Sequence, residues 1–145
     1  MVYILDVFSN KLVEAEIVPI DKKNVPLKKD GWKFNWRKAM MNTQSNGYVL
    51  KLKTESKTIE GAILLKIEEK MLIMDILEIA PHNVGRKKKY DYVAGVLIAY
   101  ACRKSFTLEG AYKGFLVFVS KTKLIDLYRA KYGAKLALGQ RMYID

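Results

Sequence analysis

The stretch from Met71 to Phe106 constrains the fold of this chain more than any other part of the sequence. Residues 71–80 form an almost unbroken apolar run, which predicts a central strand that is buried on both faces. Pro81 ends that strand, and four consecutive cations, Arg86 to Lys89, lead directly into a helical pattern from Tyr90 to Phe106. A strand, a basic loop and a helix N-terminus together favour the binding of an anion such as phosphate.

Four segments before this stretch have the composition or alternation of β-strands. They are Val2–Phe8, Lys11–Ile20, Tyr48–Thr54 and Thr58–Glu68. The two-residue link Glu69-Lys70 joins the last of them to the central strand, which implies an antiparallel meander. The tripeptide Ser45-Asn46-Gly47 predicts a turn ahead of the third strand.

An aromatic cluster lies between the second and third of these strands. Residues 21–30 are polar and rich in lysine, which predicts a loop. Trp32, Phe34 and Trp36 then alternate before a short helical patch, Arg37–Met41. The cluster is consistent with two arrangements: the packing of a small helix against a sheet, or the lining of a ligand site.

The C-terminal third predicts a strand, a helix and a final strand. A turn at Gly110 precedes a buried strand, Gly114–Ser120, and the order strand, helix, strand implies a right-handed parallel crossover. A second helix is predicted over Lys123–Tyr132, with Gly133 as its C-terminal cap. The pattern predicts that the chain closes on an edge strand, Arg141–Ile144.

Length, charge and cysteine content limit the class of protein. A chain of 145 residues has the size of one domain, so we expect a single domain over residues 1–145. One cysteine excludes an internal disulfide, and no zinc-ligand spacing is present, so no metal is expected. The sequence has no apolar run long enough to span a membrane and no signal-peptide pattern, which predicts a cytoplasmic protein without membrane association. The net charge of +11 favours an anionic partner, such as a nucleotide cofactor or a nucleic acid, or simply solubility.

Four segments carry a resemblance to a known family. They are LEIAPHN (residues 77–83), KYDYVAGVLIAYA (89–101), GFLVFVS (114–120) and LIDLYRAKYGA (124–134). As a set they resemble the GNAT superfamily of acyl-CoA-dependent N-acetyltransferases, and the resemblance covers roughly Gly61–Asp145. It implies an α+β fold with a central mixed, mostly antiparallel sheet. One pair of strands, the family's fourth and fifth, is parallel in that fold, and helices cover both faces of the sheet.

The resemblance implies acetyl-CoA as the acetyl donor. In the family the pantetheine arm runs along the edge of the fourth strand, which here is Leu77, Ile79 and Ala80. The pyrophosphate binds at the helix N-terminus, which here is Lys89, Tyr90, Asp91, Tyr92, Val93 and Ala94. Tyr92 stands where the family has its first glycine, so its side chain is expected to restrict the approach of the pyrophosphate.

The resemblance also implies direct attack of an amine on the thioester in a ternary complex. Tyr128 falls at the position of the family's tyrosine and is the candidate acid for the leaving thiolate. Glu78, near the end of the central strand, is the candidate base, and Asp75 is expected on the opposite face of that strand. His82 and Asn83 follow the strand and are candidate substrate contacts, with a role as base as a second option for His82.

Several alternatives stay open on the sequence alone. The acceptor amine belongs to a small molecule, a protein or an aminoacyl-tRNA, and a homodimer is among the assemblies left open. A different function is a non-catalytic GNAT-fold module that binds nucleic acid or a protein partner through its basic surface. A third is a degenerate GNAT domain that serves as an interaction scaffold, and Tyr92 is the residue that argues for it.

Overall fold

A computed structural model describes residues 2–55, 57–120 and 124–145 of the chain. Within these ranges the strands are β1 Val2–Asp6, β2 Lys11–Pro19, β3 Ser45–Leu52, β4 Ile59–Glu68, β5 Met71–Ile79, β6 Tyr90–Asp91, β7 Leu116–Val119, β8 Lys135–Leu138 and β9 Arg141–Ile144. The α-helices are α1 Trp36–Ala39, α2 Val93–Ser105 and α3 Ile125–Tyr132. The predicted start of the last helix, at Lys123, lies outside the described residues.

The strands form one mixed sheet in the order β6-β1-β2-β3-β4-β5-β7-β9-β8. The pair β5 and β7 is parallel, with Leu72 opposite Leu116 and Ile73 opposite Val117, and α2 connects the two strands. Strand β9 pairs antiparallel with β7, and β2 pairs antiparallel with β1 and β3. The predicted fold class, a mostly antiparallel sheet with one parallel pair, is therefore confirmed.

The chain forms two compact units. The first consists of residues 1–64 and 76–97, and the second of residues 65–75 and 98–145. The single domain expected over residues 1–145 stays a prediction. None of the helices in the described ranges is both long and apolar enough to cross a membrane.

The core of the first unit forms around two tryptophans. Trp32 and Trp36 are buried together with Val49, Ala62, Leu64 and Ala80. Helix α1 begins at Trp36 because the side chain of Asn35 accepts a hydrogen bond from the backbone N–H of Lys38, at 3.1 Å. Phe34, the third member of the predicted aromatic cluster, is exposed. Of the two arrangements predicted for the cluster, packing against the sheet is the one that the tryptophans adopt.

The core of the second unit is built on β7 and β9. Leu116, Phe118 and Met142 are buried, and Phe118 packs on Tyr128 of α3 with 4.9 Å between the ring centroids. Helix α3 ends as predicted, because Gly133 adopts a left-handed backbone (φ 67°) and its N–H bonds to the carbonyls of Arg129 and Tyr128.

The turn predicted at Ser45-Asn46-Gly47 is wrong, because these residues begin β3. Two flexible side chains crowd the glycine at this position. A Cβ on Gly47 would lie 2.5 Å from Sδ of Met40 and 2.6 Å from Cδ1 of Ile20. The backbone N–H of Ile20 also donates to the carbonyl of Gly47, at 2.9 Å. A tripeptide that usually forms a turn is therefore part of a strand here, and Ile20 and Met40 approach its glycine closely.

The helix predicted from Tyr90 starts three residues later, at Val93. Tyr90 and Asp91 instead pair with Asp6 and Leu5 of β1 as strand β6. The basic segment therefore does not run directly into the helix, because a short edge strand stands between them. The helix ends at Ser105, one residue before the predicted end at Phe106.

The C-terminal strand Arg141–Ile144 is confirmed as β9, but its predicted edge position is wrong. Strand β9 lies between β7 and β8, and β8 was not predicted. All four residues of β8 are exposed, so the strand carries little of the alternation that marks a half-buried strand. It is joined to β9 through Gly139, whose φ of 60° suits a tight reversal.

Gly61 of β4 allows the first turn of α2 to approach the sheet. A Cβ at this position would lie 2.5 Å from Cγ1 of Val93 and 3.0 Å from Cδ1 of Leu97. A contact below 3.0 Å requires a shift of the helix or of the strand, since Val93 is β-branched and stiff at χ1. Gly61 therefore fixes the position of the start of α2.

We expect Gly61→Ala to lower the free energy of unfolding by about 1–3 kcal/mol, because the added methyl overpacks the contact with α2. Gly47→Ala is the matched control, since its Cβ would meet the ends of the flexible Met40 and Ile20 side chains. Its loss should be smaller. Urea denaturation of both variants measures the difference, and a larger loss for Gly47→Ala would contradict this account of the packing.

Candidate functional site

A buried carboxylate organises the first unit where β4 meets the loop after β5. Glu60 of β4 is 2% exposed. Its Oε1 lies 2.6 Å from Nε2 of His82 and accepts a hydrogen bond from Nδ2 of Asn83 at 3.0 Å. A buried carboxylate without partners is strongly unfavourable, so these contacts hold the loop against the strand. The backbone carbonyl of Glu60 extends the network, because it accepts from the N–H of Ala80 at 3.0 Å and from Nδ2 of Asn83 at 3.1 Å.

The same network fixes the segment that leads into α2. The side-chain oxygen of Asn83 accepts a hydrogen bond from the backbone N–H of Tyr90, at 2.9 Å. The carbonyl of His82 accepts from the N–H of Lys89, also at 2.9 Å. The carbonyl of Lys89 in turn accepts from Val7, at 3.0 Å. The end of β5 and the start of α2 are thus tied together through residues 80–90.

The predicted cofactor residues all belong to the first unit. Leu77 and Ile79 are half-buried in the last part of β5, and Ala80 is buried. Among the described residues, the ladder with β7 includes only Leu72 and Ile73 of β5, so Leu77 and Ile79 lie beyond it.

The segment Lys89–Ala94 combines an exposed cation with buried residues. Lys89 is exposed, and its Nζ lies 5.5 Å from the centre of the Tyr90 ring. Tyr90 and Val93 are buried, whereas Asp91 and Ala94 are half-buried. Burial raises the pKa of the Tyr90 phenol, and the negative charges of Glu60 and Asp6 add to the shift. Tyr90 is therefore protonated at neutral pH and packs as a neutral side chain.

The backbone of Tyr92 has a conformation that glycine usually adopts. Its φ is 73°, in the left-handed region that side chains rarely adopt, and its N–H donates to Oδ1 of Asp91 at 2.8 Å. The side chain is 52% exposed. The departure from the family pattern therefore concerns the side chain, since the turn itself has the conformation that glycine favours.

Glu78, the candidate base, is bound to the segment before α1. Its carboxylate accepts hydrogen bonds from the backbone N–H groups of Lys33 (2.6 Å) and Phe34 (3.2 Å) and from Nε1 of Trp36 (2.9 Å). Both oxygens are engaged, so the arrangement favours a structural role. Asp75 is exposed, with Lys66 Nζ at 3.9 Å.

The two candidate substrate contacts differ in access. Asn83 is buried, and both ends of its amide are used within the network around Glu60, which favours a structural role. His82 has one ring nitrogen at Glu60, while 39% of its side chain is exposed. Of the two residues, His82 is therefore the one that a ligand can reach.

Tyr128, the candidate acid, belongs to the second unit, in α3. Its ring packs on Phe118, and the ring of Tyr132 lies 5.9 Å away. Burial raises the pKa of its phenol, and the nearby Tyr132 adds to the shift. The hydroxyl is therefore protonated at neutral pH, as a proton donor must be.

Two further features bear on reactivity: the state of the Cys102 thiol and the grouping of potential metal-ligating side chains. Burial raises the pKa of the Cys102 thiol, although the charge of Arg103 opposes the shift, so the thiolate needed for covalent catalysis is disfavoured. No group of three or more potential metal-ligating side chains is found in the described ranges.

Comparison with known proteins gives matches in structure but not in sequence. No protein-family profile matches the chain, and no curated protein matches it in sequence. A mutant of the toxin AtaT, bound to the C-terminus of the antitoxin AtaR, superimposes with a TM-score of 0.64 at 13% identity. That match covers 90% of this chain and 92% of that chain. The KacTA–DNA complex gives a TM-score of 0.63 at 12% identity with the same coverage.

A third solved structure names the fold. It is a GNAT family acetyltransferase from Elizabethkingia anophelis with acetyl-CoA bound, and it matches with a TM-score of 0.55 at 14% identity. The match covers 91% of this chain and 98% of that chain. This chain has the GNAT acetyltransferase fold. The resemblance read from the sequence is thus confirmed for the fold, while identities this low leave activity and substrate to be argued from the residues.

Glu60 is the residue of the candidate site that was not predicted from the sequence. The signal was present, since Glu60 is an acidic residue in the run TIEGAILL, which is otherwise apolar apart from its first residue. A charged residue in a buried strand is uncommon and needs a partner. Its partners, His82 and Asn83, lie more than 20 positions further along the chain, so only the paired strands bring them together.

We expect Glu78→Gln to lower the free energy of unfolding by about 1–3 kcal/mol, because an amide NH₂ would replace one oxygen and face an N–H donor. Asp75→Asn, on the same strand, is the matched control and should change stability little, since Asp75 is exposed. Urea denaturation gives both values. Equal stability of Glu78→Gln and wild type would show that the hydrogen bonds to residues 33–36 contribute nothing to folding.

Proposed function

We propose that this protein is an N-acetyltransferase that transfers the acetyl group of acetyl-CoA to an amine by direct attack in a ternary complex. The observation that carries the proposal is the GNAT fold combined with one continuous segment in the first unit, from the end of β5 to the start of α2. That segment contains the elements that acyl-CoA binding needs: a strand edge, a cation and a helix N-terminus.

The pantetheine arm binds along the end of β5 in this proposal. Leu77 and Ile79 lie beyond the described ladder between β5 and β7, so we assign the pairing with the amides of pantetheine to their backbone groups, and Ala80 closes the strand end. Pairing of this kind needs no particular side chain, which fits an apolar strand end. The bond from Ala80 N–H to the carbonyl of Glu60 holds the last of these residues in place.

The pyrophosphate binds at the start of α2 in this proposal. Helix α2 has 13 residues, long enough for its N-terminal N–H groups to favour an anion. Lys89 adds an exposed positive charge, and Ala94 leaves room near the backbone. Tyr92 keeps the left-handed turn but adds a side chain, which reduces affinity without removing the site.

The reaction needs a base, a polarised carbonyl and an acid. An ammonium must lose a proton before its nitrogen attacks the thioester, and the thiolate that leaves must gain one. We assign the second step to Tyr128, whose raised pKa keeps its proton at neutral pH. The acceptor is a small-molecule amine, a protein amine or an aminoacyl-tRNA, and the net charge of +11 favours one that carries negative charge.

Calorimetric titration with acetyl-CoA tests the cofactor site. We expect one-to-one binding, weakened about tenfold by Lys89→Ala, because one charge-assisted contact to phosphate is lost. Tyr92→Gly should tighten binding severalfold, since it removes the side chain and leaves the turn unstrained. Lys113→Ala, at an exposed lysine in the turn between Gly110 and Gly114, is the control and should bind as wild type does. Affinities unaltered by both Lys89→Ala and Tyr92→Gly would place the phosphates elsewhere.

Tyr128→Phe tests the acid. It removes only the hydroxyl, so acetyl-CoA should bind with unchanged affinity while turnover falls by about 10²-fold or more. Thiol release in a screen of amine acceptors measures turnover, and calorimetry measures binding in the same samples. Full turnover in Tyr128→Phe would remove Tyr128 from the mechanism.

A further inference from the structure

We infer that His82 is the general base that takes the proton from the acceptor amine, and that Glu60 is the residue that positions it. The inference rests on the proposed acetyl transfer and deepens it, since it replaces Glu78 by a different residue as the base. The juxtaposition that carries it is the contact of 2.6 Å between Nε2 of His82 and Oε1 of Glu60.

Glu60 is buried and His82 is partly exposed, as a positioning residue and a general base must be. The side chain of Glu60 is 2% exposed, whereas that of His82 is 39% exposed. The imidazole therefore has one nitrogen at a buried carboxylate, while part of its side chain is exposed to solvent. A base must reach the proton that it removes, and the group that orients the base must not be displaced by water.

The contact with Glu60 selects the tautomer of the imidazole. A carboxylate only accepts hydrogen bonds, so Nε2 carries the hydrogen and donates it to Oε1. Nδ1 then holds the free lone pair and is the atom that accepts a proton. When Nδ1 is protonated, the ring becomes a cation beside the negative charge of Glu60, which stabilises the product of proton transfer.

Glu60 is itself held rigidly, so the ring is held as well. Oε1 of Glu60 also accepts from Asn83 Nδ2 at 3.0 Å, and Asn83 is buried. The backbone of His82 is fixed at its carbonyl by the N–H of Lys89, at 2.9 Å. A base held at both its ring and its backbone keeps one orientation toward a substrate.

His82 also lies next to the proposed pantetheine site in the sequence. It follows Ala80 by two positions, so it stands directly after the strand end that is proposed to hold the pantetheine arm. Glu78 lies in the same strand end, but both of its carboxylate oxygens already accept hydrogen bonds from residues 33–36. Of the two titratable groups in residues 77–83, His82 is the one that keeps a polar atom, Nδ1, with no hydrogen bond to the described part of the chain.

The reaction begins with proton transfer to His82. The ammonium of the acceptor gives one proton to Nδ1 of His82, and the neutral nitrogen attacks the thioester carbonyl carbon, so a C–N bond forms. The tetrahedral intermediate collapses, the C–S bond breaks, and the electron pair leaves with the thiolate. The amide nitrogen gives up one proton, and the thiolate takes one up. His82 releases its proton to solvent, and the products are the amide, CoA thiol and one proton.

The tautomer can be observed without any substrate, because His82 is the only histidine in the chain. Protein labelled with ¹⁵N-histidine should show a single imidazole whose Nε2 carries hydrogen and whose Nδ1 does not. In Glu60→Gln we expect a mixture of tautomers, since an amide can donate as well as accept. Glu14→Gln, which removes a half-buried carboxylate that pairs with Lys53, is the control and should leave the spectrum unchanged. An Nδ1–H tautomer in wild type, or a spectrum unaffected by Glu60→Gln, would overturn the pairing.

Activity then tests the role of His82 as base. His82→Ala should lower kcat by about 10²-fold with little change in the KM for acetyl-CoA, and added imidazole should restore part of the rate. His82→Gln is the companion variant: its amide NH₂ can still donate to Glu60, so the buried carboxylate keeps a partner, and the same loss of kcat is expected. Unchanged kcat in His82→Ala would overturn the assignment. A wild-type protein that has the Nε2–H tautomer but transfers no acetyl group would instead overturn the proposed function, and with it the role of His82 as base.

Discussion

The first unit depends on the burial of one carboxylate. Glu60 sits in β4 with almost no exposure, and an uncompensated charge in such a place would cost several kcal/mol. The chain meets this constraint by bringing His82 and Asn83 back onto the strand. The loop after β5 therefore has little freedom. Its far end at Tyr90 is fixed by the same asparagine, and Tyr90 in turn begins the short edge strand on β1.

Glu78 is a second carboxylate that holds two segments of the first unit together. Glu78 binds three donors of the segment 33–36 and so attaches the start of α1 to β5. The two glutamates differ in what they leave open. The partners of Glu78 are mostly backbone N–H groups with no further chemistry, whereas one partner of Glu60 is an imidazole that reaches solvent. That difference separates a structural carboxylate from one that can support proton transfer.

Most of the fold could be predicted from the sequence because its main elements have strong periodic patterns. The central strand, the α2 helix and the parallel crossover follow from apolar runs and their order, and the fold has all three. The prediction that the central strand is buried on both faces is wrong, because only Leu72 and Met74 of β5 are buried and Asp75 is exposed. The sequence misled where tertiary contacts overrode local signals. Gly47 lies in a strand whose neighbour Ile20 donates its N–H to the Gly47 carbonyl, and Tyr90 lies in a strand that pairs with β1. Neither contact is visible in a local pattern.

The site was less predictable than the fold. The candidate cofactor residues within 77–94 were inferred from the resemblance to the family. That resemblance does not point to Glu60, which lies on the preceding strand, β4. The pairing of Glu60 with His82 spans 22 positions and exists only because β4 and the loop after β5 are adjacent in the folded chain. Long-range pairs of this kind are set by topology, and no spacing rule applies to them. The sequence shows that Tyr92 replaces a glycine of the family pattern. Its left-handed backbone is a property of the folded chain and could not be predicted.

The central claim is that acetyl-CoA binds at the end of β5 and the start of α2. Amide hydrogen exchange, followed by mass spectrometry with and without saturating acetyl-CoA, tests it most directly because it locates the binding site on the chain. The account predicts slower exchange in residues 77–80 and 89–96, with no change in β2. Slower exchange confined to other segments, or none at any acetyl-CoA concentration, would contradict it.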